Sequence, residues 1–195
     1  MFIAIEGNMA SGKTTYAKIL SKHFRSQCVL EPGEKELLPL YPYLKKHPLR
    51  VQIYCLIHRL NSQKVINTCR HKEGAISDYV MAKDLVYAKI FLSKDDYVAY
   101  TGLFNSLNCS FEIPDLLIIL NAPLDFLLER IRLRALEYEM SMKKNRLKKM
   151  QKELQERVLT VPARKIISLD ATKYDILNNH ESAKRLIAKI DELLY

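Results

Sequence analysis

The sequence predicts an α/β fold: a doubly wound parallel sheet of five strands, flanked by helices. Three observations predict it. Short apolar runs alternate with stretches of helical spacing along all 195 residues. A glycine-bearing turn joins the first apolar run directly to the first helical one. Pro42, Pro48, Pro114, Pro123 and Pro162 all fall at junctions between elements, where a residue without an N–H is tolerated. Short buried strands with helical crossovers need a sheet covered on both faces.

The first strand is Phe2–Glu6, and the turn after it reads IEGNMASGKTT. Tyr16, Ile19, Leu20 and Phe24 then recur at helical spacing, which sets a helix over Lys13–Arg25. Gly7, four residues, Gly12, Lys13 and Thr14 form the P-loop pattern. In this pattern the backbone N–H groups from Gly7 through Asn8, Met9, Ala10, Ser11, Gly12, Lys13, Thr14 and Thr15 cradle phosphate oxygens at a helix N-terminus. Lys13 reaches the β- and γ-phosphates, and the Thr14 hydroxyl sits on Mg²⁺. The plainer reading is a glycine turn that packs a helix on a strand. Pattern and strand–loop–helix context together favour phosphate binding, and with it a P-loop NTPase-like sheet.

The second strand is Cys28–Glu31 and the third Ala75–Asp78. Ligands of such sheets bind at the carboxyl ends of the strands, so Glu31, Asp78 and the P-loop border one crevice. Glu31 there either takes a proton from an attacking hydroxyl or makes local hydrogen bonds. Asp78 either reaches Mg²⁺ or caps the next helix. Between these strands lies a helix near Leu49–Cys69, in which Gln52 and Arg59 stand two turns apart on nearly one face. The next helix, Lys83–Leu92, carries Asp84. An amide and an arginine–aspartate pair can read a base edge, or can be an ordinary glutamine and an ion pair.

The remaining elements are helices near Tyr97–Leu107, Pro123–Leu136, Lys143–Val158 and Asn179–Leu194, and strands Leu116–Leu120 and Lys165–Leu169. Arg130 and Arg134 lie at i, i+4 in ERIRLRALEYE. They either fold over phosphates as a lid or support an exposed helix beside Glu129 and Glu137. Positions 130–142 are the expected lid of a single P-loop domain spanning 1–195.

Composition excludes several classes. No apolar run is long enough to cross a bilayer, and no signal peptide is visible. Cys28, Cys55, Cys69 and Cys109 lack metal-ligand spacing and read as buried thiols of a reducing compartment, the cytoplasm, or a host cytoplasm if the chain is viral. The formal net charge of +9 fits a polyphosphate substrate as well as nucleic acid. Its densest run, MKKNRLKKMQK, places Leu147, Met150 and Leu154 at helical spacing, so its lysines read as a solvated face.

The chain resembles the deoxynucleoside kinases. IEGNMASGKTT is similar to that family's P-loop, including Asn8; LEP at 30–32 to its base-carrying strand end; VQIYCLIHRLNSQ to its nucleoside-binding helix. ISDYVMAKDLVYAKIFL resembles the bacterial deoxyadenosine and deoxyguanosine kinase branch, and PDLLIILNAPLDFLLERIRLRALEYE the strand, helix and lid. The resemblance implies transfer of the γ-phosphate of ATP, with Mg²⁺, to the 5′-hydroxyl of a small-molecule deoxynucleoside. It implies Glu31 as general base, Gln52 pairing with the base, Arg59 and Asp84 as a second base-recognition pair, and Arg130 and Arg134 as lid arginines. Glu139 would hold the sugar 3′-hydroxyl with a tyrosine, Tyr43 or Tyr41. The loop after Leu169 would hold the donor adenine. The family also implies a homodimer. The chain departs from it with Tyr79 and Val80 where many members have arginine then serine, and with Leu136 where the lid usually carries an arginine.

Two rivals remain at this stage. A thymidylate kinase shares the fold and the EPG of 31–33, but has an arginine where Leu30 stands and a P-loop aspartate where Met9 stands. A non-catalytic nucleotide- or nucleic-acid-binding module would use the basic helix, but no groove-reading motif accompanies it.

Overall fold

The computed structural model describes residues 1–107, 111–174, 176 and 179–194, with the backbone alone described at 34, 35, 38, 41, 44, 45, 137 and 138. Five parallel strands form one sheet in the order β2-β3-β1-β4-β5: β1 Phe2–Gly7, β2 Gln27–Val29, β3 Ala75–Ser77, β4 Leu116–Asn121 and β5 Lys165–Asp170. Ile3 pairs with Ile76 on one side and with Leu116 on the other, so β1 is central.

Alternation along β1 divides the core. Ile3 and Ile5 point to one face, where they meet Leu20, Leu127, Leu186 and Ile190. These come from helices α1 (Lys13–Phe24), α7 (Leu124–Arg134) and α10 (His180–Leu194). Phe2 and Ala4 point to the other face, among Leu56, Ile66, Leu85, Val86 and Leu154. Those belong to α4 (Pro48–Arg70), α5 (Lys83–Phe91) and α9 (Lys144–Val158). Every residue of β1 is buried, the mark of a strand covered on both sides. The expected doubly wound architecture is therefore the observed one.

Boundaries differ in informative ways. The second strand ends at Val29, so Glu31 lies in the extended segment beyond the sheet, not at its last rung. The helix expected from Tyr97 begins at Lys94, because Ser93 accepts the Tyr97 N–H through its carbonyl and the Asp96 N–H through its hydroxyl. This helix is α6, Lys94–Leu107. Three short helices have no counterpart in the periodicity: α2 Glu34–Leu37, α3 Tyr41–Lys46 and α8 Glu137–Met140. Each is too brief to show two turns of apolar spacing.

On α9 the lysines at 144, 148, 149 and 152, like Lys143 just before it, are exposed while Leu147, Met150, Leu154 and Val158 are buried. The basic run is a solvated face. Among the described residues no helix is long and apolar enough to cross a membrane. Cys28, Cys55 and Cys69 are free thiols, and Cys109 lies outside the described residues.

Candidate active site

The chain leaves β1 at Gly7 and enters α1 at Lys13. A Cβ on Gly7 would stand 2.6 Å from both the Leu120 carbonyl oxygen and Ser11 Oγ, so only glycine lets β1 lie this close to β4 here. Gly12 has φ 102°, a left-handed backbone open to glycine at no steric cost. Ala10 also lies in that region, at φ 61°, at a cost of about 1–2 kcal/mol. Asn8 ties the loop down: Oδ1 accepts the Met9 N–H at 2.8 Å, and Nδ2 donates to the Leu147 carbonyl on α9 at 3.3 Å. Lys13 Nζ donates to the Asn8 carbonyl at 2.9 Å. Burial and then the nearby Lys83 ammonium bring the Lys13 pKa down to about 8. A buried cation short of counter-charge is a strong site for a polyphosphate.

Asp78, one residue past β3, joins this loop to the other side of the crevice. Its Oδ2 accepts the Thr14 hydroxyl at 2.5 Å, and its Oδ1 accepts the Glu31 N–H at 2.8 Å. Burial, then the Glu31 charge, raise the Asp78 pKa. A hydroxyl and a carboxylate side by side at the end of the phosphate loop form an oxygen donor set that suits Mg²⁺.

The Glu31 carboxylate is gripped on both oxygens. Arg59 donates to Oε1 through Nη2 and, at 3.2 Å, through Nε; Lys83 Nζ donates to Oε2. Arg59 Nη1 donates in turn to Asp84 Oδ1. Burial alone would raise the Glu31 carboxyl, but the Lys83 ammonium and the Arg59 guanidinium outweigh it and hold it well below the usual carboxylate range. Asp84, fully buried, is raised to about 6 by desolvation despite Arg59. Gln52 lies on the same face of α4 as Arg59, and its buried Oε1 has no hydrogen-bond partner among the described residues. A buried acceptor without a protein partner is where a ligand donor fits.

From the far side, α7 brings Arg130 against the loop: its Nη1 would lie 3.3 Å from a Cβ on Gly12, with its guanidinium over the Phe126 ring. Arg134 is directed elsewhere, donating to Glu139 Oε1 at 2.7 Å. Ala135, at φ 54°, ends α7 between these two. Tyr43 is half-exposed, with the Arg50 guanidinium 4.8 Å from its ring centre, and makes no described contact with Glu139. The Tyr41 side chain lies outside the described residues. Past β5, the Tyr174 carbonyl accepts the Tyr16 hydroxyl at 2.8 Å, which seats the expected adenine loop against α1.

The family model for deoxynucleoside kinases matches residues 3–195. The chain belongs to the deoxynucleoside kinase family. Among its relatives, this kinase is 28% identical to the deoxyguanosine kinase of Bacillus subtilis, over 99% of this chain and 97% of that one. It is 27% identical to the deoxyadenosine/deoxycytidine kinase of the same species, over 99% and 93%. A deoxyadenosine kinase of M. mycoides, solved with bound dCTP, superposes with a TM-score of 0.78 at 22% identity, covering 98% of this chain and 100% of that one. The sheet and its helices are thus those of the family.

Of the residues singled out in the sequence, the kinase brings Lys13, Thr14, Asp78, Glu31, Arg59 and Asp84 into one cluster, with Gln52 on the Arg59 face of α4 and Arg130 against Gly12. Two further charged residues belong there and were missed. Glu6, fully buried in β1, accepts the Gly7 N–H at 2.8 Å and the Val80 N–H at 3.1 Å, bracing the loops after β1 and β3. A glutamate inside the apolar run FIAIEG was the signal. Lys83 was hidden next to Asp84, and nothing in its spacing separates it from a surface lysine. Arg59, expected to serve a base edge with Asp84, also holds Glu31.

Proposed function

We propose that this kinase transfers the γ-phosphoryl group of ATP to the 5′-hydroxyl of a deoxynucleoside, with Glu31 as general base. The observation that supports the reading is the Asp78 bridge, which ties the Glu31 backbone amide to Thr14 at the end of the phosphate loop. In the reaction a bond forms between the 5′-oxygen and the γ-phosphorus. The bond from that phosphorus to the β,γ-bridging oxygen breaks, and its electron pair leaves with ADP. The hydroxyl proton passes to Glu31. Lys13 and the loop amides meet charge on the transferring group, and Arg130 closes from the rim. Thr14 and Asp78 would hold Mg²⁺, which when bound neutralises donor phosphate charge.

Gln52, Arg59 and Asp84 form the base pocket, and Glu139, braced by Arg134, meets the sugar 3′-hydroxyl beside a tyrosine, Tyr43 or Tyr41. The favoured acceptors are purine deoxynucleosides or deoxycytidine over thymidine. A fixed arginine–aspartate pair left unsatisfied by the wrong base costs about 1–3 kcal/mol, or roughly tenfold to a hundredfold in kcat/KM. The names of the Bacillus relatives, which specify deoxyguanosine, deoxyadenosine and deoxycytidine, support the same preference. Residues 1–195 act as one domain whose lid runs over about 130–142, the segment containing the α7–α8 break. The working form is a homodimer. Tyr54, Ile57 and Val65 on α4 and Val98 and Leu103 on α6 are exposed apolar residues on two helices that pack together, and a second copy would cover them.

The experiment incubates ATP and Mg²⁺ with each of the four deoxynucleosides, and separately with their monophosphates, and resolves products by chromatography. Deoxynucleoside monophosphates are the expected products; diphosphates formed from monophosphates alone would refute the acceptor assignment. Glu31→Gln is expected to lower kcat by about a hundredfold to ten-thousandfold with little change in nucleoside KM. A near-normal kcat with a sharply raised KM would make Glu31 a binding residue instead.

A further inference from the structure

Lys83 occupies a place where the fold alone disfavours it. It is the first residue of α5 and buried at 3% exposure. A helix N-terminus carries partial positive charge, and burying an ammonium strips it of favourable hydration. A lysine held there against both terms is held by its partner, and its ion pair is with Glu31 Oε2.

We propose that Lys83 is a positioning residue for the Glu31 carboxylate, fixing its plane together with Arg59 so that it faces the acceptor hydroxyl; the proposal rests on the reading of Glu31 as the general base. A glutamate carboxylate on its own turns freely, because its last torsion has broad, two-fold preferences. Here Arg59 occupies one oxygen and Lys83 the other. Oε1 takes both bonds from Arg59, while Oε2 accepts from Lys83 and, among the described residues, keeps a second lone pair for an incoming hydroxyl. Arg59 is itself anchored from behind by Asp84, which makes it a fixed post. The Tyr87 ring, 5.3 Å from Lys83 Nζ, supports the second post. The loop between Asp78 and Lys83 brings no other cation: Tyr79, Val80, Met81 and Ala82 are uncharged. Lys13, Glu6 and Asp78 face the cluster from the phosphate loop, β1 and the end of β3, and Cys55 from α4. None of these makes an ion pair to Glu31 among the described residues, so the aim of the carboxylate depends on Arg59 and Lys83.

The test compares Lys83→Met, which keeps length and removes charge, with Lys83→Arg, in the full-length protein, using ATP and the deoxynucleoside that the unaltered protein turns over fastest. Lys83→Met is expected to lower kcat about tenfold to a hundredfold, the scale of a misplaced catalytic group, with nucleoside KM within about threefold. Lys83→Arg is expected to recover kcat to within about fivefold. If Lys83 works through Glu31, Lys83→Met in a Glu31→Gln background costs nothing further, because groups acting as a unit are non-additive. A folded Lys83→Met protein with kcat within about twofold of the unaltered one overturns the proposal. So does a full additional loss in the Glu31→Gln background, which makes Lys83 independent of Glu31. Thermal melting reports folding, and Lys83→Gln supplies the uncharged variant if Lys83→Met does not fold. Glu31→Gln alone separates the two claims: a loss there without a loss in Lys83→Met sinks only the Lys83 assignment, while normal kcat in Glu31→Gln sinks the general base itself.

Discussion

Replacing Gly7 by alanine adds one methyl group at the narrowest point between two strands. That methyl would start 2.6 Å from the Leu120 carbonyl oxygen and from Ser11 Oγ, and 3.1 Å from Leu120 Cβ. A carbon–oxygen contact relaxes beyond about 3.3 Å, so the two backbones must part by roughly 0.7 Å. Leu120 cannot yield cheaply, because β4 is bonded to β1 on one side and β5 on the other. The displacement therefore falls on the loop from Gly7 to Gly12. Overpacking of this kind costs about 1–3 kcal/mol, which lowers Tm by roughly 2–12 °C in a domain of this size. The larger effect is on turnover, since the displaced amides are those proposed to meet the donor phosphates. A shift approaching 1 Å in a reacting arrangement can cost on the order of a hundredfold, so kcat/KM for ATP should fall at least tenfold. Nucleoside binding, read by fluorescence or calorimetry without ATP, should stay within about threefold, because Gln52 and Asp84, the residues proposed to hold the base, lie on α4 and α5 rather than on the displaced loop. The assay pairs steady-state kinetics with a melting curve. Normal ATP kinetics with an unchanged Tm would refute the claim that β4 and the phosphate loop are packed without slack.

The two arginines proposed for the lid should separate. Arg130→Ala is expected to lower kcat at least tenfold with little change in nucleoside KM, since Arg130 lies against Gly12; Arg134→Ala should act on nucleoside KM, because Arg134 braces Glu139. A pure nucleoside-KM effect for Arg130→Ala would place it away from the transferring phosphate. The double change Arg59→Met with Asp84→Leu is expected to narrow the gap between thymidine and the other deoxynucleosides in kcat/KM, and also to lower kcat for all of them, because Arg59 holds Glu31 as well. Retained discrimination at full kcat would remove Arg59 from both roles.

The phosphate loop and the sheet were legible because each rests on short-range rules. Gly7, Gly12, Lys13 and Thr14 carry their geometry in their spacing, and the alternation of Ile3 and Ile5 with Phe2 and Ala4 announces a strand covered on both faces. The charge cluster was legible only in part. Glu31, Arg59 and Asp84 could be named, but their connection depends on how α4 and α5 cross the end of β2. Lys83 shows why periodicity stops short: its side chain is defined by a partner 52 residues away. The short helices α2, α3 and α8 went unseen for a different reason, since none is long enough to repeat an apolar position.

Asp78 also acts as a gauge. The strand bearing the phosphate loop and the strand leading to Glu31 are not neighbours, because β3 lies between them. Across that gap one carboxylate clasps the Thr14 hydroxyl with one oxygen and the Glu31 amide with the other. The separation between the phosphate loop and the segment carrying the proposed base is therefore bounded by the reach of a single aspartate side chain.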